Sequence, residues 1–230
     1  MKRIGILGGM SWESTQLYYQ LMNGAVREQL GGLHSAELIL YSVDFDQIEK
    51  MQHRGDWAAL GLLLASYAEK LVAAGADGLV IATNTMHKVV PTIQRHIDIP
   101  VLHIADCTGQ VIEDRGLKRV GLLGTKFTME DAFYKDRLSD QFGIEVLVPD
   151  ASARHTVHDI IYQELCLGKI NAASKAQFLN IIQQLSDNGA EAVILGCTEI
   201  GLLVQQTDTQ IPLLDTTVIH AQQAVKWALS

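Results

Sequence analysis

The sequence predicts an α/β protein built from two pseudo-symmetric lobes with parallel sheets in three layers, and with the active site in the cleft between them. Two observations support this fold class. Short β-rich runs alternate with helical segments along the chain, and the pattern of the first half recurs in the second. Alternation of this kind is typical of parallel sheets whose two faces are covered by helices.

In the first half, short apolar runs indicate strands and a 3.6-residue apolar spacing indicates helices. The predicted strands are Arg3–Leu7, Glu37–Tyr41 and Gly78–Ala82. A first helix is predicted over Ser11–Leu30, and a second runs from an Asp56 cap to Ala74, where Gly75 ends it. The segment between Phe45 and Trp57, F-D-Q-I-E-K-M-Q-H-R-G-D-W, is acid-rich and is expected to be a loop.

The second half repeats this order. Ser174 and Gln177 have the spacing of a capping box, which predicts a helix that ends near Gly189, before a strand over Ala192–Leu195.

An internal repeat is the most informative feature of the sequence. Three segments recur in the same order: Lys2–Gly9 at Lys118–Thr125, Gly75–Thr85 at Gly189–Glu199, and Asp98–Leu102 at Gln210–Leu214. The offset drifts by only two residues from one match to the next. The repeat therefore predicts a first lobe of residues 1–105, joined by the C-terminal segment 213–230, and a second lobe of residues 106–212.

Composition narrows the function to small-molecule chemistry. The net charge of -8 and the dispersed Lys and Arg residues argue against nucleic acid or an anionic membrane as partner. No apolar run approaches the length of a membrane span. Three cysteines, none in C-x-x-C spacing, predict neither a disulfide framework nor a metal site, and they favour a cytoplasmic location.

Polar residues follow the repeated strands where ligands bind in parallel α/β sheets. The 114-residue offset aligns Thr83 with Cys197, Asn84 with Thr198, and Thr85 with Glu199. If the carboxyl ends of the two sheets face one another across a cleft, two acid/base groups reach a ligand from opposite sides. One can remove a proton and the other can return one, which is racemisation. A helix N-terminus can lower the pKa of a thiol placed at such a strand end.

No cofactor is expected. The chain has no identifiable lysine anchor for pyridoxal phosphate and no Walker loop, and G-I-L-G-G-M at Gly5–Met10 lacks the G-x-G-x-x-G spacing. The glycines of that segment are expected to let a ligand carboxylate approach the backbone.

The motifs G-I-L-G-G-M, A-T-N-T-M-H and G-C-T-E-I together resemble the aspartate/glutamate racemase family over essentially the whole chain, and the ending G-C-T-E resembles its aspartate racemase branch. This resemblance implies a homodimeric isomerase that racemises an acidic amino acid without pyridoxal phosphate, through one cysteine in each lobe.

Thr83 departs from that pattern because the family usually has a cysteine there. A threonine hydroxyl, like water, has a pKa about seven units above that of a thiol, so as a free base it is disfavoured by about 10 kcal/mol. We therefore expect Cys197 to carry most of the proton removal. By resemblance, the cysteine of the second lobe handles the L-enantiomer, so L-aspartate and L-glutamate are the expected substrates.

The other candidate residues are expected to bind the substrate. Asn84, Thr85 and Thr198 are assigned to the α-carboxylate, although the same atoms could simply cap helices. The remaining candidates at the strand ends are Met10, Ser11, Thr125, Thr128 and Glu199. By resemblance, the segment with Gln52 and Arg54 closes over the substrate, so either residue could hold the distal carboxylate, while Arg54 could equally be an ordinary exposed arginine.

Two other functions stay open at this point. The chain could be a decarboxylase or cis-trans isomerase of a small dicarboxylate that uses a single cysteine, or a non-catalytic amino-acid-binding protein. In some aspartate racemases a lysine holds the side-chain carboxylate, and that position falls on Cys166 here, which leaves room for broader specificity.

Overall fold

A computed structural model describes all residues, 1–230. The strands are β1 (Ile4–Gly8), β2 (Leu38–Ser42), β3 (Gly78–Ile81), β4 (Arg119–Gly124), β5 (Glu145–Leu147), β6 (Ala192–Gly196) and β7 (Leu213–Asp215). The α-helices are α1 (Trp12–Leu30), α2 (Phe45–Arg54), α3 (Trp57–Ala73), α4 (Val90–Ile93), α5 (Ile104–Asp114), α6 (Lys126–Glu130), α7 (Ala132–Phe142), α8 (Ala151–Gln163), α9 (Ala172–Asp187), α10 (Ile200–Leu203) and α11 (Thr216–Leu229). Short 3₁₀ turns cover Thr85–Val89, Leu165–Leu167 and Gln206–Asp208.

The chain forms two compact units. The first unit comprises Met1–Ile104 and His220–Ser230, and the second comprises Ala105–Ile219. The sequence assigned residues 213–219 to the first lobe. In the structure these residues belong to the second unit, because β7 pairs with β6 in parallel.

Each unit has one parallel sheet. The order is β2-β1-β3 in the first unit, with a parallel bridge between Leu79 and Val101 next to β3, and β5-β4-β6-β7 in the second. All strand pairs are parallel, which confirms the predicted α/β fold class.

Helices cover both faces of the first sheet, because alternate residues of a strand point to opposite sides. Leu7 and Ile81 belong to the apolar cluster that also contains residues of α3. Ile6 and Val80 belong to the cluster formed with α1 and α11. Burial of both faces explains why these strands are apolar throughout and do not alternate with polar residues.

The repeat is visible in duplicated hydrogen bonds. The backbone N–H of Asp77 donates to the carbonyl of Arg3 over 2.8 Å, and that of Glu191 donates to the carbonyl of Arg119 over the same distance. In return, the Asp77 and Glu191 carboxylates accept from the backbone N–H of Arg3 and Arg119. The acid that follows Gly-Ala in both copies therefore fixes the start of the adjacent central strand.

Two local predictions were wrong. The expected loop from Phe45 onward is the helix α2, which Asp44 caps by accepting from Asp46 N–H and which Gly55 ends in the left-handed region. The expected capping box at Ser174 is also absent. Asn171 caps α9, and the Ser174 hydroxyl donates to the Glu164 carboxylate at 2.6 Å.

None of the helices combines the length and the apolar character that crossing a membrane requires.

Gly8 and Gly9 pack against the chain itself, which corrects the expectation that they make room for a ligand. A Cβ at Gly8 would lie 2.6 Å from the Thr15 hydroxyl, and a Cβ at Gly9 would overlap the backbone N and O of Val43. Gly9 also has a φ of 85°, and its N–H donates to the Thr15 hydroxyl. The glycines thus permit the close packing of the strand end against α1 and the β2–α2 connection.

We expect Gly9→Ala to lower the free energy of unfolding by at least about 2 kcal/mol, because a side chain there combines an unfavourable positive φ with overlap against Val43. Urea unfolding measures the change. Gly24→Ala is the matched control: Gly24 lies within α1 with open space around it, so alanine should stabilise the protein by up to about 1 kcal/mol. Equal effects of the two substitutions would contradict this account.

Candidate active site

In the first unit, the candidate residues lie where β1 and β3 end. These strands are neighbours in the sheet, so Met10 and Ser11 after β1 lie at the same sheet edge as Thr83 after β3. Ser11 caps α1 by accepting from Ser14 N–H, and the Ser14 hydroxyl donates to the carbonyl of Ala82 at 3.2 Å. This contact ties the start of α1 to the end of β3.

Thr83 is the accessible residue of its motif. From Gly78 to His87 every residue is buried except Thr83, which is partly exposed. Its N–H donates to the carbonyl of Ile81 at 2.8 Å, so the chain turns sharply as it leaves β3. Asn84 and Thr85, which follow, are only 2% and 6% exposed.

The second unit repeats this arrangement at the ends of β4 and β6, which are also neighbours. Thr125 follows β4 and caps α6 by accepting from Thr128 N–H. From Ala192 to Ile200 every residue is buried except Cys197, which is partly exposed. Thr83 and Cys197, which the repeat aligns, are therefore the single accessible residues of their respective motifs.

Cys197 has a carboxylate partner. Its thiol donates to Glu199 Oε2 at 3.0 Å, and the Thr198 hydroxyl donates to the same oxygen at 2.7 Å. Burial raises the pKa of the Cys197 thiol well above its ordinary value, and the charge of Glu199 raises it further. The expectation that a helix N-terminus lowers this pKa was wrong, because α10 has only four residues and the neighbouring charge is negative.

Gln52 and Arg54 lie in different environments, although both are near the end of α2. Gln52 is 2% exposed, whereas the Arg54 side chain is exposed to solvent. A buried amide is held in one place, so Gln52 is the better ordered of the two candidates for binding a substrate.

His158 supports the Thr125 turn. His158 Nδ1 accepts from the backbone N–H of Lys126 at 3.2 Å, and its ring packs on Tyr162 at 4.8 Å between centroids. His155, three residues earlier, lies 3.2 Å from Asp159. No group of three or more His, Cys, Asp or Glu residues is arranged to hold a metal ion.

Three buried histidines of the first unit lie close together, and one of them, His87, contacts Thr83. We call His87, His103 and His220 the histidine cluster. The His87 ring lies 4.6 Å from the His103 ring and 5.7 Å from the His220 ring, measured between centroids. Burial lowers the pKa of His220 to about 4. Burial and the two neighbouring histidines hold the pKa of His87 well below its ordinary value.

Comparison with known proteins agrees with this geometry. The sequence profile of the Asp/Glu/Hydantoin racemase family matches residues 7–224, so the chain belongs to that family. Racemases are isomerases, as the sequence predicted.

Individual relatives cover the whole chain. A crystal structure of a Yersinia pestis protein assigned as an Asp/Glu racemase matches 100% of both chains with 50% identity and a TM-score of 0.94. An aspartate racemase homologue from Pyrococcus horikoshii OT3 also matches 100% of both chains, with 35% identity and a TM-score of 0.86. The broad specificity amino-acid racemase RacX of Bacillus subtilis (strain 168) is 25% identical over 99% of this chain and 98% of its own length.

The histidine cluster predicts a loss of stability in acid. Because the pKa of His220 is about 4 in the folded protein and about 6.5 in the unfolded chain, the unfolded chain binds the proton more readily between these values. Above pH 6.5 the neutral His220 ring therefore contributes about 3 kcal/mol to the free energy of unfolding, and this contribution is lost as the pH falls to 4. Urea unfolding at several pH values measures this dependence, which His220→Gln should flatten. The exposed His96 is the control, and an unchanged dependence in His220→Gln would contradict the prediction.

The Cys197–Glu199 contact predicts opposite effects of Glu199→Gln on two measurements. Removal of the carboxylate charge should lower the thiol pKa and speed alkylation of Cys197 by iodoacetamide at pH 8, by about three- to fourfold for each unit of pKa, because the gain in thiolate outweighs its lower nucleophilicity. Racemisation should nevertheless slow by about 100-fold, because the proton acceptor is lost. Cys107, whose pKa burial raises to about 12, is the unreactive internal control. Slower alkylation of Cys197 in the variant would contradict this account.

Proposed function

We propose that this protein is a racemase of the acidic amino acids aspartate and glutamate that works without pyridoxal phosphate and exchanges the α-proton through Thr83 and Cys197. The observation that carries the proposal is the matched exposure of these two residues. Each is the single accessible residue at the end of a buried strand, in motifs that the repeat aligns. Family membership supports the reaction class.

Cys197 removes the α-proton of the L-enantiomer in this proposal. Its raised pKa keeps the thiol protonated at rest, so a base must first take that proton. Glu199 is placed to do so, because its Oε2 already accepts from the thiol. The thiolate then takes the α-proton, and the resulting carbanion receives a proton from the Thr83 hydroxyl. Solvent reprotonates Thr83 and accepts the proton held by Glu199, so one proton is taken up and one is released in each cycle.

Exchange of the α-proton from the D-enantiomer is expected to be slower, because Thr83 has no comparable base beside it. The residue two positions after Cys197 is Glu199, but the residue two positions after Thr83 is Thr85, which has no charge. A threonine hydroxyl can protonate a carbanion, but as a base it must first become an alkoxide, at a cost of about 10 kcal/mol relative to a thiol. Exchange of the α-proton with solvent is therefore expected to be faster from L-aspartate and L-glutamate than from their D-enantiomers.

Substrate contacts are assigned by position. Asn84, Thr85 and Thr198 bind the α-carboxylate, together with the turns that contain Met10 and Ser11 in the first unit and Thr125 and Thr128 in the second. Gln52 holds the distal carboxylate, because Gln52 is buried whereas Arg54 is exposed.

Broader specificity is a second candidate. Cys166, which stands where some aspartate racemases have a lysine, is partly buried and packs against the same apolar cluster as Cys197. Its thiol cannot neutralise a distal carboxylate, and Lys169, the nearest lysine along the chain, is exposed. Turnover of uncharged amino acids would fit these surroundings, and the relative RacX is named a broad specificity amino-acid racemase.

Loss of α-protons in D₂O, followed by NMR for aspartate, glutamate and a panel of uncharged amino acids, tests the proposal. We expect L-enantiomers to lose their α-proton faster than D-enantiomers, and Cys197→Ser to slow this loss by at least about 100-fold. Thr83→Cys should speed exchange from the D-enantiomers, because a thiol is a far stronger acid than a hydroxyl and so is more readily converted to a base.

Faster exchange from the D-enantiomers in the unchanged protein would refute the assignment of direction. Release of CO₂ or interconversion of cis and trans dicarboxylates, without α-proton exchange, would favour the decarboxylase or isomerase. If no amino acid exchanges and Cys197→Ala still binds amino acids as well, the protein is a binding protein.

A further inference from the structure

His87 lies at the point where the histidine cluster meets the candidate site. It is 1% exposed, and its Nδ1 lies 2.8 Å from the carbonyl oxygen of Thr83, four residues earlier. β3 has ended at Ile81, so this carbonyl has left the hydrogen bonding of the sheet. The imidazole supplies this carbonyl with a side-chain donor.

The hydrogen bonds fix the protonation of two rings of the cluster. A carbonyl can only accept, so His87 has its proton on Nδ1, and its buried Nε2 carries a lone pair with no partner. His220 Nε2 donates to the carbonyl of Leu102 at 2.7 Å, which leaves its Nδ1 to accept from the Tyr18 hydroxyl at 2.8 Å. Both rings are therefore neutral, and packing holds their orientation.

We propose that His87 is a positioning residue for Thr83: its Nδ1–H fixes the Thr83 peptide and thereby aims the Thr83 hydroxyl. This inference rests on the proposed role of Thr83 as the proton donor. Thr83 is held on both sides, because its N–H donates to Ile81 and its carbonyl accepts from His87. Threonine is β-branched, so few χ1 rotamers are open to it and the direction of its hydroxyl follows the backbone.

The second unit has no imidazole donor at the equivalent position. The donor therefore occurs only in the unit that has a threonine in place of the cysteine. The repeat aligns His87 with Gly201, and His103 with Asp215. A Cβ at Gly201 would lie 2.5 Å from Asp215 Oδ2, so a side chain like that of His87 has no room there. The Cys197 carbonyl accepts from the backbone N–H of Ile200 at 3.1 Å. The imidazole donor thus belongs to the unit whose acid/base group is the weaker one.

Two variants of equal shape isolate the hydrogen bond. Asparagine places an amide N–H where His87 has Nδ1–H, and leucine has the same shape without a donor. We measure, from an L-substrate in D₂O, both the loss of the α-proton and the formation of the D-enantiomer. In His87→Leu the formation of the D-enantiomer should fall at least about tenfold, because a misaimed donor protonates poorly. Loss of the α-proton, which Cys197 carries out, should change by less than about threefold. His87→Asn should restore the ratio of the two rates.

The controls separate positioning from general damage. The exposed His96 lies in the same unit and pairs with Glu69, so His96→Leu should leave the ratio unchanged. If His87→Leu does not fold, His87→Gln replaces it. Its amide reaches toward the Nε2 position and misses the Thr83 carbonyl, so the ratio should fall in the same way.

The proposal is overturned if both rates fall together, if neither falls, or if the leucine and asparagine variants have the same ratio. These outcomes differ from a failure of the proposed function, in which the unchanged protein shows no Cys197-dependent loss of the α-proton at all.

Discussion

The candidate site depends on the parallel pairing of the two central strands in each unit. β1 pairs with β3 and β4 with β6, so segments far apart in sequence end at the same sheet edge. Because the strands are buried on both faces, the first residue able to meet a ligand is the first accessible one after each strand end. That residue is Thr83 after β3 and Cys197 after β6. Sheet geometry, rather than loop conformation, thus selects the residues available for chemistry.

The two units share a backbone plan but differ in the groups that surround these residues. Asp77 and Glu191 make the same hydrogen bonds at the same points of the two copies. At the strand ends the equivalence stops. Cys197 has a carboxylate as its partner, whereas Thr83 has an imidazole donor on its own carbonyl and no base. The asymmetry therefore extends beyond one substitution to the groups that set acidity in one unit and orientation in the other.

Sequence reasoning predicted those features that periodicity and repetition encode. The buried strands, the duplicated α/β plan and the equivalent positions of Thr83 and Cys197 in the repeat all follow from aligned apolar runs. The raised pKa of Cys197 was not predictable, because it depends on burial and on the direction of the Glu199 side chain. The α2 helix was missed because its polar composition masked the Asp44 cap and the Gly55 stop. The role of Gly9 depends on the approach of Val43, a contact that no local pattern records.

A thiol with a raised pKa is a reasonable base for this chemistry. The α-proton of an amino acid is very weakly acidic, and a thiolate becomes a stronger base as the pKa of its thiol rises. Burial therefore increases the strength of the Cys197 thiolate while it reduces the amount present at neutral pH. The charge of Glu199 contributes to that reduction, but its Oε2 is already bonded to the thiol and can take the proton without a diffusional step. On this argument Glu199 belongs with the acid/base machinery more than with the substrate contacts to which the sequence assigned it.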